Sequence, residues 1–151
     1  MATEEPRHSV SVAAAIVDSD GKFLAIRRRD NNQWEPPGGI LELNEAIHDG
    51  LTREVLEETG LRVRPVALSG IYKNMRRGIV ALVFRCQIVD GQLRPTNEAA
   101  EVRWMTPPEI NLEMDDAYAC RLLDALTNHP PKVRSHDGVD LLDAPAPPST
   151  P

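Results

Sequence analysis

Three carboxylates in the segment Gly39–Leu61, those of Glu54, Glu57 and Glu58, recur at spacings of three and four residues, so any helix formed there carries them on one face. At about 100° per residue, Ala46, Ile47, Gly50 and Leu51 share that stripe, whereas His48, Asp49, Thr52, Leu56 and Thr59 lie on the other side. The expected helix therefore buries one face in its first half and carries acids on the same face in its second half. A solvated acidic stripe would sit opposite the apolar one. Asn44 as N-cap and Gly60 as a left-handed terminator frame about four turns.

Carboxylates turned together toward an interior repel one another and lose hydration, at a cost of several kcal/mol (~2–7 for a polar group) unless cations or donors compensate. Two compensations are open: a divalent metal, or salt bridges that make this a structural helix. With oxygen ligands only, His48 pointing away and neither cysteine near in sequence, a metal here would be Mg²⁺ or Mn²⁺ and not zinc.

Around this helix the chain alternates strand and turn signals. Ser9 to Val17 and Lys22 to Arg28 are apolar-rich runs joined by Asp18-Ser19-Asp20-Gly21, which predicts a β-hairpin. Residues 30 to 38 are rich in turn formers and predict an irregular loop. Strands are expected at Val66 to Lys73, Ile79 to Val89 and Glu101 to Met105. Thr106-Pro107-Pro108-Glu109 has the form of a capped helix start. A longer helix around Asp115 to Asn128 has Ala119, Leu122, Leu123 and Leu126 as its core stripe. Strands, helix, more strands and a final helix predict a mixed sheet covered by helices on two faces, in one domain over residues 1–128. Residues 129–151 form a Pro-rich C-terminal tail, expected to be disordered or to serve as a packing arm on this domain or on a second subunit, which would make a homodimer.

The chain has 151 residues and a net charge of −6, which argues against general nucleic-acid binding through a basic surface. No segment approaches the ~20 apolar residues of a membrane span, and Met1 to Arg7 is polar, so a cytoplasmic protein without membrane contact is expected. Cys86 and Cys120 are expected as buried free thiols.

The run Gly39, five residues, Glu45, seven residues, then Arg53-Glu54-Val55-Leu56-Glu57-Glu58-Thr59-Gly60-Leu61 resembles the Nudix box of the Nudix hydrolases at every specified position. Pro37-Gly38 before it and Glu101-Val102-Arg103-Trp104 after it resemble the family's flanking segments. The resemblance implies an α/β fold, a Nudix-type α/β/α sandwich with a mixed β-sheet between helices. It also implies a Mg²⁺-dependent hydrolase, Mn²⁺ being a possible substitute, that cleaves a phosphoanhydride in a nucleoside diphosphate linked to another moiety by metal-assisted water attack. The small-molecule partner would foremost be a (deoxy)nucleoside triphosphate or a modified nucleotide. The alternative is a Nudix-fold binding or regulatory module without catalysis, although such modules usually show eroded box residues and every acid is present here.

Carried onto matching positions, the family's arrangement makes Glu54, Glu57 and Glu58 metal ligands, with one of them or a further acid deprotonating the water. Arg53 would orient a carboxylate or tie down the Gly39 to Glu45 loop. Glu45 and Gly60 would be structural, Glu45 lying opposite Glu54 on an ideal helix. A fourth acid from a later loop is either Glu98 or Glu101, and Glu101 matches the family segment better. Gly38 and Gly39 would let backbone approach phosphate. Arg27 is the expected phosphate contact of the Arg27-Arg28-Arg29 run, against a solvated sheet-edge cluster. Trp34 would stack on a base or anchor its loop, and the cluster Tyr72, Lys73, Arg76 and Arg77 would bind base or phosphate or merely decorate a turn. Leu43, Pro36 and Asp49-Gly50 depart from the common pattern without removing a ligand. The downstream proline that tends to mark ADP-ribose hydrolases is not found.

Overall fold

The central strand Ser9–Ile16 (β1) is buried over its last five residues, and its alternation feeds two separate cores. Ala13 and Ala15 join one cluster, while Val12, Ala14 and Ile16 join the other on the opposite sheet face. A strand covered on both faces reads as an unbroken apolar run, which is what Val12 to Ile16 is. The computed structural model describes residues 4–142 of the chain.

The remaining elements follow in order: Phe23–Arg28 (β2), Trp34–Glu35 (β3), Gly38–Ile40 (β4), Ile47–Thr59 (α1), Leu61–Asn74 (β5), Ile79–Gly91 (β6), Ala99–Met105 (β7), Pro107–Glu113 (α2), Asp116–Leu123 (α3), a 3-10 turn Asp124–Leu126, and Lys132–His136 (β8). They build a mixed five-stranded sheet, β4-β1-β6-β5-β8, and an antiparallel three-stranded sheet, β3-β2-β7. Leu51 and Val55 of α1 cover one face of β1, whereas Ile110 of α2 and Ala119 and Leu122 of α3 cover the other. The expected α/β/α sandwich is realised. Among the described residues no helix is long and apolar enough to cross a membrane.

Several local expectations are corrected. The turn at Asp18 to Gly21 forms, with the Asp18 carboxylate accepting from the Asp20 and Lys22 amides at 2.9 Å, but β1 and β2 do not make a hairpin. They enter different sheets and are bridged antiparallel only at Val17–Phe23 among the described residues, because β1 is claimed on both edges by β4 and β6. Residues 30–38 are not wholly irregular: Trp34 and Glu35 pair with Arg27 and Ile26, and Gly38 opens β4.

Helix α1 starts two residues later than Asn44 predicts, with Ala46 at the cap and no side-chain capping bond. Its buried stripe is Gly50, Leu51, Glu54, Val55, Glu58 and Thr59, about one position round from the predicted one. Ile47 and Glu57 therefore turn outward, and Thr59 turns in, donating to the Val55 carbonyl at 2.6 Å and accepting from the Leu61 amide at 3.1 Å. In α3, Ala119 and Leu122 are buried as expected, but Leu126 is half exposed because the helix ends at Leu123 and tightens. The capping box at Thr106 and Glu109 is present. Cys86 and Cys120 are free and buried.

Within the stretch that the sequence leaves between disorder and an arm, residues 132–136 form β8, parallel to β5 in the same chain. Arg134 binds both Asp124 oxygens at 2.7 and 2.8 Å, and the Tyr72 hydroxyl donates to that carboxylate at 2.8 Å. The low-complexity run Ala144 to Pro151 lies outside the described residues.

Gly60 ends α1 at φ 82°, and a Cβ there would stand 2.3 Å from the Gln92 carbonyl. Gly60→Ala is expected to lower stability by about 2 kcal/mol or more in chemical denaturation, from left-handed strain plus that overlap.

Candidate active site

The inward stripe of α1 brings Glu54 and Glu58 beneath β4, whose Gly38 and Gly39 lie opposite Ala13 and Val12 of β1. A Cβ on Gly39 would fall 2.4 Å from the Glu54 carboxylate, so only glycine lets helix and strand come this close. The Gly38 amide donates to Glu58 Oε2 at 3.3 Å. Glu98, from the turn before β7, completes the group: one carboxylate oxygen from each of Glu54, Glu58 and Glu98 lies within 4.8 Å of the others. These acids floor a cleft of about 480 Å³ whose walls include Ile26, Arg28, Arg29, Asp30, Ile40 and Asn97.

Burial pushes the Glu58 carboxyl up to about 9, opposed by the Gly38 amide and reinforced by Glu54, Glu35 and Glu98. Burial also raises Glu54, opposed by the neighbouring Arg53. Three acids this close, two of them almost wholly buried, carry more negative charge than the surrounding donors offset. Oxygen donors without nitrogen or sulfur suit a hard divalent cation, and these three residues would hold it.

Arg53 ties the loop to the helix. Its Nε and Nη2 bind the two Glu45 oxygens at 2.9 and 2.6 Å, its Nη1 reaches Glu54 at 3.0 Å, and Nη2 also donates to the Ile40 carbonyl at 3.4 Å. The fork holds the partly buried Glu45 carboxyl down at about 2. Glu45 precedes α1, so the ideal-helix estimate that set it opposite Glu54 does not apply; it faces Glu54 across Arg53.

Other expected positions lie elsewhere. Glu57 is outside the three-acid group, half exposed and 3.3 Å from Arg53, because the buried stripe is rotated away from it. Glu101 sits opposite Arg27 across the β2–β7 ladder and pairs with it at 3.8 Å, so Glu98 is the fourth-acid candidate that reaches the cleft. Arg27, held by Glu101 and by Asn32, does not line the cleft, and Arg28 and Arg29 do. The β2–β7 ladder shifts register between Arg27 and Arg28, where Ala100 is the extra residue on β7.

Trp34 is buried in the core with the Arg103 guanidinium 4.4 Å over its ring, which is the anchor reading and leaves no face for a base. Tyr72 is fully buried against Asp124, and Arg76 is exposed in the β5–β6 turn and does not line the acidic cleft. The signal that would have found Glu98 is the cross-strand pairing of Arg27 with Glu101, which removes Glu101 from contention, but that register is not readable from sequence.

A match to the Nudix domain spans residues 7–126. The chain belongs to the Nudix family. It is 55% identical over 143 residues to a MutT-like protein of Streptomyces ambofaciens, covering 95% of this chain and 93% of that one. It is 29% identical over 104 residues to an ADP-ribose pyrophosphatase of Methanocaldococcus jannaschii, covering 64% of this chain and 62% of that one. The fold is shared with a Nudix hydrolase of Nitrosomonas europaea at a TM-score of 0.72 and 23% identity, over 88% of this chain and 82% of that one. The cleft over Glu54, Glu58 and Glu98 lies against the chain's Nudix box.

Between its ordinary value of 4.5 and about 9, Glu58 keeps in the folded chain a proton that the unfolded chain has lost. Stability of the metal-free protein is therefore expected to fall as pH rises through that window. Thermal melts in chelator from pH 5 to 9 should show this decline, flattened in Glu58→Gln and relieved in wild type by adding Mg²⁺.

Proposed function

We propose that the protein is a Mg²⁺-dependent hydrolase, with Mn²⁺ able to substitute, that cleaves a phosphoanhydride in a nucleoside diphosphate linked to another moiety, foremost a (deoxy)nucleoside triphosphate or its modified form. The observation that carries this reading is the group Glu54, Glu58 and Glu98 at the floor of a cleft edged by glycine backbone and by Arg28 and Arg29. The metal, when bound, neutralises phosphate charge and acidifies water.

The protein's own groups supply the rest. Gly38 and Gly39 present a backbone edge without side chains, open to close approach by phosphate oxygens. Arg29, which donates to the Thr96 carbonyl and not to an acid, can offset phosphate charge at the opposite wall, where Arg28 is held by Asp30 and Glu35. Glu58, beside the Gly38 amide and the other two acids, is placed to take a proton from the attacking water when it is itself a carboxylate. Arg53 keeps Glu54 and the Glu45 loop in register and acts through them. The substrate is a small nucleotide and not a nucleic-acid polymer, and the proposed setting is the cytoplasm.

A nucleotide panel with Mg²⁺ or Mn²⁺, read by phosphate or pyrophosphate release, tests this. Glu58→Gln is expected to lower turnover by roughly 10²-fold or more. Glu98→Gln should fall at least about tenfold while Glu101→Gln stays within a few-fold, since only Glu98 reaches the group. Turnover undiminished in Glu58→Gln, or none on any phosphoanhydride, would overturn the reading.

A further inference from the structure

Beside the acidic cleft lies a second cavity of about 210 Å³, which shares Arg28, Gly38, Gly39 and Ile40 with it as common walls. Its far side is built by Arg121 of α3, Arg77 of the β5–β6 turn, Tyr118 and Glu35. Arg121 is only 9% exposed, yet its Nε has no hydrogen-bond partner. Its guanidinium lies 4.7 Å from the Tyr118 ring centre and 5.6 Å from that of Tyr72, contacts that soften but do not neutralise its charge. Glu35, the acid whose charge it feels, is paired with Arg28 at 3.1 Å instead.

One polar contact remains, from Nη2 to His136 Nε2 at 3.3 Å, and it is contested. His136 Nδ1 already accepts from the Gly138 amide at 3.0 Å. Burial and the adjacent Arg121 keep this imidazole neutral, so its single proton then sits on Nε2, facing a donor. A guanidinium with five N–H donors is thus buried with almost no acceptor, a costly arrangement unless something else accepts. Arg77 reaches the same cavity, and among the described residues its guanidinium makes no ion pair. With Arg28 and Glu35 offsetting each other, the walls carry two guanidinium charges without a counter-charge, next to a cleft with surplus carboxylates.

We propose that this cavity is a second phosphate subsite, in which Arg121 and Arg77 hold a phosphate group of the substrate that lies beyond the scissile linkage. On a nucleoside triphosphate that group is the terminal phosphate; on a nucleoside diphosphate linked to another moiety it is a phosphate carried by that moiety. Phosphate fits better than a neutral base edge because only an anion removes both the unmet donors and the surplus charge. The proposal rests on the hydrolase reading for what lies in the neighbouring cleft, but its binding chemistry does not.

The test uses the full chain in chelator, at ionic strength matched with chloride, titrated with inorganic phosphate in a calorimeter and in thermal melts. Without metal the carboxylate cleft repels anions, so saturable binding with a rise in Tm is expected to report the second cavity. Arg121→Gln and Arg77→Gln should each weaken it by about tenfold, with Arg121→Lys retaining part. Arg77 stands on an exposed turn, so that variant decides the matter even if Arg121→Gln fails to fold. No phosphate binding in wild type, or binding unchanged in the Arg77 variant, would overturn the proposal. So would binding of neutral guanosine in place of phosphate, which would make this a base pocket. Phosphate binding that persists in a protein without turnover supports the subsite and sinks the hydrolase reading; turnover without phosphate binding does the reverse.

Discussion

The burial of two like-charged carboxylates under a glycine strand is the constraint on which the site depends. Glu54 and Glu58 lie on the packed face of α1, where apolar residues would give the helix more stability, and burial raises both acids toward their neutral forms. The arrangement persists because the rest of α1 is anchored by Leu51 and Val55 in a core shared with Val12, Ala14 and Ile16. Gly39 cannot acquire a side chain without displacing Glu54, and Arg53 joins the entering loop to the helix through Glu45. Apolar anchorage at one end of the stripe thus supports a poised, repulsive cluster at the other.

The sheet architecture extends that logic. With β1 buried on both faces, α1 and the α2–α3 pair pack on opposite sides, and the two cavities meet at the edge strand β4. One cavity is floored by acids from α1 and the β7 approach. The other is walled by guanidinium groups from α3 and the β5–β6 turn. Charges of opposite sign on either side of the same glycine backbone suit a ligand that needs a metal at one point and arginines at another.

Legibility in the sequence divides along physical lines. The α1 motif could be read because a helix repeats every 3.6 residues and its ligands are local, so Glu54 and Glu58 fell on one stripe with Leu51 from spacing alone. The same periodicity misjudged Glu57 and Thr59, since which edge of a stripe is buried is decided by where Val55 finds its core. The placements of Arg27, Trp34, Tyr72 and Glu101 were hidden from the sequence for one shared cause. Each sits on a strand whose facing depends on a bulge, a register or a partner far away in sequence. The extra residue Ala100 on β7 shifts the β2–β7 register after Glu101, and no local pattern announces it.

From sequence alone came the helix with its buried acids, the capping box at Thr106, the left-handed stop at Gly60, the sandwich class and the family, because these rest on local periodicity, turn chemistry and motif spacing. Tertiary structure decided that Glu98 and not Glu101 joins Glu54 and Glu58, that Arg28 and Arg29 line the cleft, and that Tyr72 and Trp34 belong to the core. It also decided that residues 132–136 close the sheet as β8 and set His136 against Arg121, leaving a buried cation short of acceptors beside the cleft. These are contacts between residues distant in the chain, set by strand register and by which apolar faces meet, and no local pattern encodes them.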